Sequence, residues 1–124
     1  MQDSPVVVVR KCYQAYIDGD RAMIESVIAD DFHFSSPLDN RIDRATYFAR
    51  CWPSHEWITG YEFIHIALSG DQVYVTYIGQ SSRGAPFRNT EILTVRGGRI
   101  VEVEVYFGWS VPHKAKDGGF VNSG

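Results

Sequence analysis

From Phe87 to Trp109 apolar and polar residues alternate on both sides of Gly97-Gly98. This is the pattern of two β-strands joined by a tight hairpin, whose glycines supply the positive φ angles of the turn. Successive strand side chains point to opposite sides, so Asn89, Glu91, Leu93 and Val95 share one face and Thr90, Ile92, Thr94 and Arg96 the other. In the second run Val101, Val103, Val105 and Phe107 form an apolar face, while Glu102, Glu104 and Tyr106 form an amphipathic one. One carboxylate, Glu91, therefore sits in an otherwise apolar environment.

Upstream the period lengthens to that of a helix. Between Pro5 and Asp18, Val9, Cys12 and Tyr16 lie opposite Arg10, Gln14 and Asp18, which predicts an amphipathic helix with proline near its start. Gly19-Asp20 ends that helix and caps a second, whose stripe is Met23, Ile24, Val27 and Ile28 and which Asp30-Asp31 closes. Phe32–Ser36 alternates as a short strand stopped by Pro37, and Leu38-Asp39-Asn40 reads as a loop. Ala45, Phe48, Cys51 and Trp52 predict a third helix that Pro53 terminates. Strands follow at Tyr61–Leu68 and Gln72–Gln80, and Ser81–Pro86 turns into the hairpin. Helices followed by antiparallel strands indicate an α+β fold with the helices on one face of a curved sheet. Residues 1–112 are expected to form a single domain and 113–124 a polar tail, mobile or ordered by a partner.

Composition narrows the function. A net charge of −3 with scattered Lys and Arg offers no basic stripe, so nucleic acid is not an expected partner. The apolar run Val6–Val9 is too short for a signal core or a membrane span, and the two cysteines fit a reducing compartment. A cytoplasmic protein without membrane association is expected. The four histidines show no metal-ligand spacing, so neither metal nor cofactor is expected. Aromatic residues make up 14% of the chain, enough for several to wall a pocket; Phe34, Phe48, Trp52, Trp57, Tyr74 and Phe107 are the candidates.

The helix pair joined at Gly19-Asp20, the stretch Ala29–Pro37 and the closing GGRIVEVEVYFG of residues 97–108 resemble the superfamily of SnoaL-like polyketide cyclases, ketosteroid isomerase and nuclear transport factor 2. The resemblance implies a cone-shaped, cystatin-like fold with three N-terminal helices packed on a strongly curved, mostly antiparallel sheet. It also implies a hydrophobic cavity and a homodimer formed through the outer sheet face. Carried over by position, the isomerase tyrosine falls on Cys12, its catalytic base on Ser36 and its protonated acid on Glu91. Neither a thiol nor a serine hydroxyl replaces a carboxylate base, so steroid isomerisation by the known route is not expected.

Two readings remain. In one, Glu91 and Tyr16 perform acid/base chemistry on a small hydrophobic molecule of the isomerase, cyclase or lyase type. Cys12, Phe34, Ser36, Phe48, Trp52, Trp57, Tyr74, Asn89, Val103, Val105 and Phe107 then contact that molecule. In the other, the chain is a non-catalytic binding or dimerisation module, Glu91 is paired with Arg88 or Arg96 or reaches solvent, and Tyr16 is core.

Overall fold

The computed structural model describes residues 3–122. Helix α1, Pro5–Asp18, begins where Ser4 Oγ accepts from the Val7 amide at 3.4 Å. It ends at Gly19, whose φ of +62° closes the last turn at no steric cost. Asp20 Oδ1 then accepts from the Met23 amide at 3.0 Å and opens α2, Arg21–Val27. Both helices bury the stripe predicted for them, Val9, Cys12 and Tyr16 in α1 and Ile24 and Val27 in α2.

The passage from α2 into the sheet differs from the expectation. Ile28 is not the last residue of the helical stripe; it is the first of β1, Ile28–Ser36, where it is fully buried and paired with Ile100. Asp30 and Asp31 therefore lie exposed at a bulge within a strand instead of closing a helix. The expected loop at Leu38-Asp39-Asn40 is the turn into a second strand, β2, Asp39–Asp43. That strand is almost wholly polar and held by specific contacts. The Arg41 amide donates to Ser35 Oγ at 2.9 Å, and its guanidinium pairs with Glu102 at 3.2 Å. Asp43 caps α3, Arg44–Arg50, by accepting from the Thr46 amide at 2.9 Å, and this bond holds its carboxyl below the ordinary range. Pro53 does not simply stop the chain; it sits in the first turn of a 3-10 segment, Trp52–Glu56, where its missing N–H leaves no bond unmade.

Strands β3, Ile58–Ser69, β4, Gln72–Ser81, β5, Phe87–Arg96, and β6, Arg99–Ser110, complete one open sheet of six strands in the order β2-β1-β6-β5-β4-β3. Only β1 and β6 run parallel; the other neighbours are antiparallel. The expected turn between β5 and β6 is present, with φ of +60° at Gly97 and +76° at Gly98. Register shifts in β1, β3 and the β5–β6 pair mark bulges, which bend a sheet locally and allow it to curve over the helices. The helices cover the face bearing Val73, Val75, Leu93 and Val103, all buried. Past Ser110 the described residues form turns and bends only, and no described helix is long and apolar enough to cross a membrane.

Candidate functional site

Helices and sheet do not close completely on each other. Between them lies a cavity of about 160 Å³, and alternation along β5 and β6 directs Glu91 and Val105 into it as a cross-strand pair. Val75 flanks Glu91 on the other side, so the carboxyl lies between two valines. Glu91 is half-buried and keeps some accessible surface because it faces the cavity. Burial pushes its pKa above the ordinary glutamate range, partly opposed by the Tyr77 hydroxyl and then by that of Tyr13. Neither nearby arginine neutralises it. Arg96 pairs with Asp71 at 2.9 Å, and Arg88 lies over the Trp109 ring at 5.2 Å.

Hydroxyl groups surround this carboxyl. Tyr77, two positions along the inner face of β4 from Val75, donates to Glu91 Oε2 at 2.5 Å. Asn89 Nδ2 donates to Tyr77 Oη at 3.5 Å. Tyr13 reaches in from α1. Its Oη is fully buried, near enough to Glu91 to favour the charged carboxylate but without a hydrogen-bond partner of normal geometry. The rings of Tyr13, Tyr61 and Tyr77 meet edge to face at 4.9, 5.5 and 5.1 Å, locking one another in place. Elsewhere in the lining, Tyr16 and Tyr47 share a hydrogen bond of 2.5 Å between their hydroxyls. Burial raises the pKa of all five of these tyrosines well above the ordinary value, so each stays a protonated donor. Burial likewise pushes the Cys12 thiol up, and the Cys51 thiol to about 11. Protonated thiols are poor nucleophiles and poor metal ligands. Among the described residues no group of three His, Cys, Asp or Glu is placed to hold a metal ion.

The structure brings together Glu91, Tyr16, Cys12, Phe34, Val103 and Val105 in this lining. It places the other sequence candidates elsewhere. Ser36 donates to Asp39 at 2.9 Å and lines a separate groove beside Arg41 and Glu104, because the bulge next to it turns it out of the cone. Tyr74 is 37% exposed on the outer face, since Val73 and Val75 on either side of it point inward. Phe107 follows the alternation of Val103 and Val105 but is 53% exposed, at the part of β6 that the helices leave uncovered. Phe48 is buried beneath the guanidinium groups of Arg21 and Arg44, at 4.2 and 4.9 Å, away from the cavity. Trp57 is capped by Arg83 at 4.1 Å. Trp52 backs the site without lining it, edge-on to Tyr16 at 5.0 Å and stacked on His55 at 4.4 Å. Asn89 touches the site through Tyr77 rather than as a wall.

Sequence reasoning missed Tyr13, Tyr47, Tyr61 and Tyr77. For Tyr77 a signal was available, because it alternates in phase with the buried Val73 and Val75.

Residues 9–103 match the family described as the SnoaL-like domain. No curated protein matches the chain. IdmH of Streptomyces antibioticus, a candidate polyketide cyclase, superposes with a TM-score of 0.69 at 21% identity, over 83% of this chain and 91% of that one. An LEH-like epoxide hydrolase of M. tuberculosis gives 0.72 at 17% identity, over 84% and 82% of the two chains. A candidate ketosteroid isomerase of Kribbella flavida gives 0.69 at 15%, over 84% and 77%. At these identities the likeness is one of fold.

Proposed function

The chain belongs to the SnoaL-like family, and from that premise we propose that its cavity binds a small, mostly apolar carbonyl compound and that Glu91 moves a proton on it. One observation carries this reading: Glu91 is the single carboxyl among the residues lining the cavity, and burial raises its pKa. A carboxyl with a raised pKa is both a better base when charged and a usable acid near neutrality. In the proposed step the carboxylate takes a proton from the carbon next to the carbonyl, breaking the C–H bond and forming the Glu91 O–H bond. The electron pair moves to the carbonyl oxygen, where the unpartnered Tyr13 hydroxyl donates a hydrogen bond. The Glu91 O–H exchanges with solvent water, and return of a proton from Glu91 to carbon completes the cycle.

Size limits the substrate. A space of about 160 Å³ is close to one that holds a single benzene ring, about 150 Å³. A one-ring ketone fits this volume; a four-ring steroid does not. The placement of Ser36 supports the same narrowing, since it leaves the isomerase base position outside the cavity.

Ser36 also favours a second reading. With no other carboxyl in the lining, a group that only binds its ligand is the simpler use of the cavity. Incubation of the protein with 2-cyclohexenone in D₂O separates the two. Proton exchange next to the carbonyl, followed by NMR, is expected with wild type and is expected to fall by about 10²–10⁴ in Glu91→Gln while ligand-observed binding persists. Binding without exchange in wild type assigns the protein to the binding class, and absence of binding removes the one-ring ketone.

A further inference from the structure

Three hydrogen bonds end on Glu91 as a chain whose direction is fixed at its far end. The Gly108 amide donates to Asn89 Oδ1 at 3.4 Å, Asn89 Nδ2 donates to Tyr77 Oη at 3.5 Å, and Tyr77 Oη donates to Glu91 Oε2 at 2.5 Å. A backbone N–H can only donate. It therefore assigns the Asn89 oxygen to its own side and turns the Asn89 amino group toward Tyr77. Once Tyr77 Oη accepts from that amino group, its own proton is free for the carboxyl. The backbone at the start of the chain is itself constrained, for a Cβ at Gly108 would fall 2.3 Å from the Arg88 carbonyl oxygen. The last bond is the shortest of the three, so the strongest is the one made to Glu91.

We propose that Asn89 is a positioning residue: acting through Tyr77, it commits Glu91 Oε2 to the role of acceptor and leaves Oε1 as the oxygen that carries and transfers the proton. This rests on the reading of Glu91 as the proton-transfer group, and extends it by naming the oxygen and the residue that selects it. A carboxyl whose two oxygens were equivalent would present its proton to the cavity in only part of the population. Here Tyr77 occupies one oxygen, and the other is left for the ligand or for Tyr13, whose buried hydroxyl has no other partner. The remaining titratable groups of the lining, Cys12, Tyr16, Tyr47, Cys51 and Tyr61, are all held protonated by burial, so none of them supplies a competing charge near neutral pH.

The test is a carboxyl titration of Glu91 by carbon-detected NMR in four proteins: wild type, Tyr77→Phe, Asn89→Leu and the double variant. No ligand is needed. Tyr77→Phe removes a donor that favours the charged form, so the Glu91 pKa rises. Asn89→Leu weakens the same donor and produces a smaller rise. Since Asn89 acts through Tyr77, the double variant is expected to match Tyr77→Phe alone. Additive shifts, or no shift in Asn89→Leu, overturn the proposal. Should Asn89→Leu not fold, wild type still decides. Its Tyr77 hydroxyl proton is expected to exchange slowly and to show a nuclear Overhauser effect to the Asn89 side-chain amide, and absence of that contact refutes the chain. The 2-cyclohexenone exchange assay then separates the two levels of argument. Exchange that depends on Glu91 but a titration unaffected at Asn89 refutes the positioning role and keeps the function. The predicted titration pattern without any exchange keeps the chain and refutes the function.

Discussion

A tyrosine donates to a glutamate on each side of this sheet. Inside the cone Tyr77 reaches Glu91 at 2.5 Å; on the outer face Tyr106 reaches Glu104 at 2.7 Å. The bonds are alike in chemistry and nearly alike in length, yet their consequences differ. Inside, burial dominates and raises the pKa of both partners, the hydrogen bond acting against the shift of the carboxyl and adding to that of the phenol. Outside, Tyr106 is 53% exposed, and it is the phenol that moves up, first through its hydrogen bond to Glu104 and then through that residue's charge. The bond does not choose which partner carries chemistry. Access to water does, because desolvation penalises whichever partner would be charged.

Truncation gives the largest separation between the two sides. Tyr77 is 4% exposed and its ring packs edge-on against Tyr13, Tyr61 and Phe87. Tyr77→Ala is expected to cost about 3–5 kcal/mol in urea denaturation, the usual cost of emptying a buried aromatic site. Tyr106→Ala is expected to leave the denaturation midpoint close to wild type, as is usual for exposed positions. Similar losses at both sites would erase the distinction.

Charge removal gives a smaller and pH-dependent effect. The folded pKa of Glu91 lies above its unfolded value of about 4.3. Its stabilising contribution is therefore complete below that value and is lost as pH rises through the folded pKa. Glu91→Gln keeps the shape and cannot ionise. The melting temperature of the variant minus that of wild type is expected to grow as pH rises above about 4.3 and through the folded pKa. A flat difference for Glu91→Gln would mean that water fills the cavity and removes the burial penalty.

The features that set up this contrast were unequally visible in the sequence. Strand alternation alone placed Glu91 inward with Leu93, but the register of the Gly97-Gly98 turn by itself would set it against Glu104; the bulge between Thr94 and Val95 moves its partner to Val105. Helix α1 was legible end to end because Ser4, Pro5 and Gly19 each act on the few residues beside them. Ile28 was not, because a buried isoleucine fits a helical stripe and a strand start equally well, and only pairing with Ile100 decides. Strand β2 carries no apolar alternation and is held by its pairing with β1, by the bond of Arg41 to Ser35 across that hairpin and by the contact of Arg41 with the distant Glu102. The tyrosine cluster was hidden for a third reason. A tyrosine presents the same ring to a core, a cavity wall or a surface, and only tertiary packing assigns Tyr77 and Tyr13 to the cavity and Tyr74 to the outside. Family position found Glu91 but could not find the hydroxyls around it, which come from α1, α3, β3 and β4.

Alkaline titration of the tyrosines yields the finest comparison, and the smallest effect at any single residue. Of the seven tyrosines, Tyr13, Tyr16, Tyr47, Tyr61 and Tyr77 line the cavity, and Tyr74 and Tyr106 face outward. The inner group has folded pKa values well above the unfolded value of about 10. Its stabilising contribution is whole below that pH and is lost as pH rises further, because the unfolded chain can release those protons and the folded one cannot. A pH jump followed by near-ultraviolet absorbance is therefore expected to give an immediate rise from the exposed Tyr106 and a slow rise from the inner group, timed to unfolding. Within the fast phase, Glu104→Gln removes the charge that helps hold the Tyr106 phenol up and leaves only a neutral amide oxygen as acceptor, so that phase shifts to lower pH while the slow phase keeps its rate. Glu91→Gln leaves the fast phase untouched. If all the tyrosines ionised at once, water would already have free access to the cavity, and the difference between the two tyrosine–glutamate pairs would reduce to their hydrogen-bond lengths.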